Sequence, residues 1–300
     1  PPTPLLTSSA ASDVYKRQCS YTMKSLRHIF LCSIFFFNNA PIASEVDNSY
    51  QKQSLLAVLY KRTSAEYKAN TFQVYSSAKN NIDKALQDKS WTALLNQDKD
   101  YQNLPPAVIL DIDETVLDNS EHQVRSIKNG TNYPVGWKEW VSEETAGALP
   151  GVKEYLTYAD TKGVKIFYVT NRTHDLEEYT RNNLKALGLP LDNDMDVLMM
   201  KNEKGWTSDK TSRRDLIKKN FRVIHIFGDQ LDDFIPLQKT ATNITSRKAL
   251  IDQYSDMWGE KWYMLINPMY GEWEEALYEH CWSCFPEESD RVIQRLKALD

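Results

Sequence analysis

Short apolar runs that stop abruptly at acids or hydroxyls are the feature that most limits how this chain folds. AVIL (107–110) runs into Asp111, Asp113, Thr115 and Asp118, and VKIFYV (164–169) runs into Thr170 and Asn171. VIHIF (223–227) runs into Gly228 and Asp229, and WYMLI (262–266) runs into Asn267. Runs this short, bounded by polar residues and rich in β-branched and aromatic types, are predicted strands. Helical stretches at 176–187 and 212–220 separate them, which predicts an α/β fold with a parallel sheet covered on both faces. In open sheets of this kind ligands bind beyond the carboxyl ends of the strands. Asp111, Asp113, Thr170, Asn171, Asp229 and Asp233 are therefore expected on one rim. Before the first strand, residues 54–87 read as a helix with Phe72, Tyr75, Ile82 and Leu86 on its buried stripe. A polar connection at 91–100 and the pair Pro105 and Pro106 end this leading segment. Residues 290–299 read as a closing helix with Val292, Leu296 and Leu299 in register.

The first forty-odd residues follow a different logic. Residues 1–22 read as an upstream translation, cloning or assembly scar ahead of Met23. Lys24, Arg27 and His28 then precede the apolar run IFLCSIFFF and the small residues of NNAPIAS, the pattern of a secretory signal peptide over 23–43. The run is short for a membrane span, and Cys32 inside it lacks small residues before it, so a stable membrane anchor is not expected. These 43 residues carry four basic side chains and one acid, Asp13, while the whole chain has a net charge of −5. The remainder is thus left at about −8, which gives no electrostatic reason to bind a nucleic-acid polymer. Cys281 and Cys284, the cysteines left after the leader, are spaced for a small-loop disulfide in an oxidising compartment. A redox CxxC is the alternative, and zinc lacks a second ligand pair.

The acids imply a chemistry. Several carboxylates on one rim repel each other unless a cation joins them, and a hard divalent ion such as Mg²⁺ suits oxygen ligands beside a phosphate. Asp111 and Asp229 are expected to ligate it, with the main-chain carbonyl of Asp113 as a third contact. An EF-hand fails here, because the sixth loop residue is Val116 and the twelfth is His122. Asp111 would then be a nucleophile toward phosphorus, and Asp113 a general acid and base. Thr170, the Asn171 N–H and a lysine would neutralise the transferring group. The lysine is expected at Lys210, with Lys204 as second choice. His122, His174, His225 and His280 show no ligand spacing, and His225 is expected to be packed and hydrogen-bonded within its strand.

DIDET, VTNR, a lysine and GDQLDDF, in that order, resemble the four motifs of the haloacid dehalogenase (HAD) superfamily of phosphohydrolases. TSAEYKA at 63–69, GWKEWVSEETAGALPGV and NPMYGEWEEAL resemble more narrowly its secreted acid phosphatases, of the class B and C type that includes outer-membrane lipoprotein 5′-nucleotidases. The similarity runs from about residue 52 to 278. It implies a Mg²⁺-dependent phosphomonoesterase acting on a small-molecule substrate: a helical segment at 44–105, then a Rossmann-like core over 106–300 with a small helical cap inserted at about 118–150. It also implies that Asp233 orients the lysine or a metal-bound water, and that an aromatic pair, Tyr270 with Trp137 or Trp140, stacks a nucleoside base. The rivals are a phosphoacceptor receiver domain and an inert phosphate-binding or storage protein on the same fold.

Overall fold

The computed structural model describes residues 53–98, 100–236 and 243–299. The expected scar and signal peptide, 1–22 and 23–43, lie outside them. Five parallel strands form one sheet in the order β5–β4–β1–β6–β7. They are β1 (Pro106–Leu110), β4 (Lys165–Thr173), β5 (Leu198–Lys201), β6 (Arg222–Gly228) and β7 (Trp262–Met264). Leu110, last in β1, lies between Tyr168 and Phe227. The chain moves outward from β1 to β5, then crosses to β6 and β7, so the strand order reverses beside β1. That reversal is where such sheets open a crevice.

Each central strand is apolar throughout because both faces are covered. Val108 and Leu110 point into one cluster, with Tyr75, Ala78, Ile82 and Ala85, while Ala107 and Ile109 point into the other, with Phe167, Val169 and Trp262. This is the period-two alternation of a strand, buried on either side. The predicted helix at 54–87 is in fact two, α1 (Leu55–Thr63) and α2 (Ala65–Gln87). The break is at Ser64, whose extended backbone and side chain cap α2 by accepting from Tyr67 N–H at 3.0 Å. Tyr75 and Ile82 are buried as expected, but Phe72 is 44% exposed at the rim of the stripe. Because α2 contributes to the same core as the sheet, the leading helices are integral to the fold.

A two-stranded antiparallel ribbon, β2 (Leu117–Asp118) with β3 (Gly147–Ala148), closes off the excursion that carries α3 (Ser120–Asn129) and α4 (Trp137–Ser142). Next comes α5 (Val152–Thr161), which starts at Gly151 with φ of +88°. A Cβ there would approach Tyr75 Cβ to 3.1 Å, so this turn needs glycine twice over. The later helices are α6 (Glu177–Ala186), α7 (Thr211–Ile217), α8 (Ile244–Gln253), α9 (Glu272–Glu275) and α10 (Glu288–Lys297). The closing helix forms, but Leu296 and Leu299 of its expected register are exposed, Leu299 by 82%. Cys281 and Cys284 are disulfide-bonded. Among the described residues no helix is long and apolar enough to cross a membrane.

Candidate active site

Asp111 is the first residue beyond β1. Its N–H still donates to the Phe227 carbonyl at 3.0 Å, which holds it in line with β6. The Ile112 carbonyl then accepts from the N–H groups of Val116 (2.8 Å) and Leu117 (2.9 Å), folding the acidic stretch into a tight turn. Asp229 and Asp233 come from the turn after β6. Carboxylate oxygens of Asp111, Asp229 and Asp233 all lie within 4.8 Å of one another. Lys210, at the start of α7, sets its ammonium against Asp111 Oδ1 and Asp233 Oδ1 together, and all three side chains are buried. Lys204 is elsewhere, mostly exposed and paired with Glu203 and Asp196.

Three carboxylates meet here with one ammonium, which bonds two of them, and the imbalance shows in the proton affinities of Asp111 and Asp229. Burial pushes Asp111 up to about 7; Lys210 opposes the rise, and the Asp233 and Asp113 charges add to it. Burial, then the charges of Asp111 and Asp233, pushes Asp229 well above the usual carboxylate range, although amides of Asn267 and Gln230 each donate to it at 2.8 Å. A compact all-oxygen set with more negative charge than its lysine neutralises fits a hard divalent cation.

The surrounding chain fixes this geometry. A Cβ on Gly228 would fall 2.1 Å from Asp233 Oδ2, so only glycine lets Asp233 fold back over the end of β6. Arg213, fully buried, donates to the Thr170 and Thr207 carbonyls and to Asn171 Oδ1 (2.9 Å), which ties the β4 end to α7. Arg214 donates to the carbonyls of Asp232 and Asp233, each at 2.9 Å, and so ties down the β6 turn. Thr170 is buried, and its hydroxyl accepts from Arg172 N–H at 3.1 Å, which leaves the hydroxyl proton free to donate.

The family description HAD superfamily, subfamily IIIB (Acid phosphatase) matches residues 34–273. This chain belongs to that family. A class C acid phosphatase from Bacillus anthracis, one of its two structures with tungstate bound, is similar to it at 32% identity and a TM-score of 0.73. The tungstate form covers 84% of this chain and 98% of its own. Two curated Glycine max proteins, the Stem 28 kDa and Stem 31 kDa glycoproteins, are each 30% identical over 138 residues, 42% of this chain. The chain spans about half the length of these curated relatives, 52% and 45%.

Within this acid phosphatase family member, Asp113 stands apart from the carboxylate trio. Its Oδ1 accepts from Asn119 Nδ2 at 2.8 Å and from Arg172 Nε at 2.9 Å, so the metal contact expected of Asp113 involves a different atom, its main-chain carbonyl. Glu114, wholly buried at φ of +57°, bonds Lys61 of α1 (2.6 Å), the Asn119 N–H (2.9 Å) and the Tyr270 hydroxyl. Tyr270 thus reaches the rim, anchored at its far end. Trp140 does not offer an open ring: it is 4% exposed, with its indole N–H donating to Asn119 Oδ1 at 2.9 Å. Trp137 is half-buried, with the Arg172 guanidinium 5.5 Å from its ring centre. Sequence reasoning assigned no role to Glu114, Arg172, Arg213, Arg214 or Gln230. The available signal was their position, since each sits beside a motif residue, but exposure and partners cannot be read from adjacency.

Proposed function

We propose that this chain is an exported, Mg²⁺-dependent acid phosphatase that hydrolyses phosphomonoesters, with 5′-nucleotides as the favoured class, through an aspartyl-phosphate. The observation that carries this reading is the convergence of Asp111, Asp229, Asp233 and Lys210 at the strand-order reversal. Asp111, Asp229 and the Asp113 carbonyl would hold Mg²⁺, which when bound supplies positive charge to the transferring group. A class C relative holds tungstate, a tetrahedral oxyanion of phosphate shape, which supports an oxyanion site here.

In this reading an Asp111 carboxylate oxygen attacks phosphorus, and the ester P–O bond breaks. The Asp113 carboxyl gives its proton to the departing alkoxide, which leaves as the alcohol. Lys210, the Thr170 hydroxyl and the Asn171 N–H hold the phosphoryl oxygens through the transfer. Water then attacks phosphorus while its proton passes to Asp113, and the Asp111–phosphorus bond breaks to release phosphate. Asp233 holds Lys210 in place. Tyr270 and Trp137 are the rings assigned to a nucleoside base, and residues 118–150 form the cap over the site. The leader at 23–43 and the Cys281–Cys284 disulfide support export to an oxidising compartment. A chromogenic phosphate ester assayed with chelator, then with added Mg²⁺, tests the proposal. Hydrolysis that is reversibly Mg²⁺-dependent and lost in Asp111→Asn is expected, and full turnover by that variant would refute it.

A further inference from the structure

We propose that Arg172 is a positioning residue for proton transfer, fixing Asp113 so that only one of its carboxyl oxygens can carry the proton given to the leaving group. This rests on the acid–base role proposed for Asp113 and goes beyond it. Asp113 Oδ1 receives the Arg172 Nε–H at 2.9 Å, the Asn119 Nδ2–H at 2.8 Å, and lies 2.9 Å from Arg172 Nη2. Among the described residues no donor reaches Oδ2. With Oδ1 occupied by two N–H donors and a third guanidinium nitrogen beside it, Oδ2 is the oxygen left open for proton exchange with the leaving group.

Arg172 is itself immobilised. It is buried at 2% exposure, its Nη1 donates to Thr180 Oγ1 at 3.1 Å and its Nη2 to Asn119 Oδ1 at 3.2 Å. Thr180 Oγ1 is in turn bound to the Leu176 carbonyl at 2.9 Å, and Asn119 Oδ1 to the Trp140 indole. Every end of the guanidinium therefore has a fixed partner, and Asp113 inherits that rigidity. A planar five-donor fork does this; a lysine ammonium, a single point charge, does not. Strand β4 thereby supplies both Thr170 for the phosphoryl oxygens and, two residues on, the group that orients the acid.

The readout that separates positioning from structural damage is leaving-group dependence. An alkoxide needs the proton from Asp113, whereas 2,4-dinitrophenolate departs without it. In kcat/KM, which reports steps through phosphorylation of Asp111, Arg172→Met is expected to lose about 100-fold on a nucleoside 5′-monophosphate or simple alkyl phosphate. The loss on 2,4-dinitrophenyl phosphate should stay under about fivefold. Arg172→Lys, which keeps the charge and is the safer variant for folding, should show the same selectivity with a smaller loss. Asp113→Asn is the reference. If Asp113→Asn loses equally on both esters, the acid–base reading itself fails. If Asp113→Asn discriminates between the esters and folded Arg172→Lys and Arg172→Met do not, the positioning role of Arg172 is overturned.

Discussion

Lys61→Met should be among the most destabilising single changes in the molecule, although Lys61 belongs to no phosphatase motif. Its side chain and that of Glu114 are both fully shielded from solvent, with Nζ 2.6 Å from Glu114 Oε1 and 3.3 Å from Asp118 Oδ1. Burial alone would lower the lysine's proton affinity, but the charges of Glu114 and Asp118 outweigh it and hold the ammonium firmly charged. Methionine is of similar length, so the main loss is electrostatic: the buried Glu114 carboxyl is left without its cation. Breaking a buried pair from one side costs about 3–5 kcal/mol. For a domain of about 250 residues that corresponds to a fall in Tm of roughly 6–20 °C. The charge argument also requires partial rescue. Glu114→Gln removes the charge and keeps one acceptor oxygen, which can serve the Tyr270 hydroxyl and the Asn119 side-chain amide that now share one carboxylate oxygen, so the double variant Lys61→Met/Glu114→Gln should recover part of the loss. Urea denaturation of both single variants and the double gives the coupling energy directly. A Lys61→Met protein within about 1 kcal/mol of the parent, or a double variant no more stable than Lys61→Met alone, would refute the reasoning.

Other outcomes follow from the site and its support. Asp111→Asn should lower kcat by more than about a thousandfold with the fold intact by circular dichroism; a smaller fall would place the nucleophile elsewhere. Chelation should abolish turnover, and Mg²⁺ should restore it, so activity that persists in excess chelator would count against a carboxylate-held cation. Tyr270→Ala should cost about tenfold more in kcat/KM on a nucleoside monophosphate than on a small aliphatic phosphate, by loss of stacking; equal losses would remove the ring clamp. His225 is buried in β6 with Nδ1 2.9 Å from the Tyr155 hydroxyl, and burial pulls it down to about 3 from an ordinary 6.5. A depressed folded value means the unfolded chain takes up the proton first, so this contribution is complete above about pH 6.5 and drains away as pH falls toward 3. Between pH 7 and 4.5 the parent should lose about 2–3 kcal/mol more unfolding free energy than His225→Phe. Parallel pH profiles would show that the histidine is not the titrating group.

The sheet and the rim could be read from the chain because they depend on local pattern. Each apolar run had to be a strand, and each polar residue after it had to lie at a carboxyl end, so Asp111, Thr170 and Asp229 were located by counting. Lys210 was separable from Lys204 only by its place in SDKTSRRD; the structure buries the first and leaves the second paired at the surface. Strand β5 escaped because VLMM follows the acidic turn DNDMD and carries methionines, which do not distinguish strand from helix. The break at Ser64 escaped because a serine cap costs little periodicity: the apolar stripe continues on either side of it. The choice between Trp137 and Trp140, and the exposure of Phe72, stay illegible for a shared reason. Whether an aromatic ring is open or covered depends on elements remote in sequence, here Asn119 and the rim of α5, and no local spacing encodes that.

Three acids within four residues, Asp111, Asp113 and Glu114, should repel one another at the end of a buried strand. They do not compete because each has its own cation from a different part of the chain: Lys210 before α7, Arg172 on β4 and Lys61 on α1. The turn around the Ile112 carbonyl and the left-handed backbone at Glu114 are what send the three side chains in separate directions. A regular strand would have put Asp111 and Asp113 on one face and forced them to share a partner. The turn instead leaves Asp111 facing Asp229, Asp233 and Lys210, Asp113 oriented by the arginine, and Glu114 committed to joining α1 to Tyr270. The density of charge after AVIL is therefore tolerable only in the complete fold. This is why α1, which contributes nothing to the rim itself, is bonded through Lys61 to Glu114, the neighbour of the aspartates that the proposed chemistry requires.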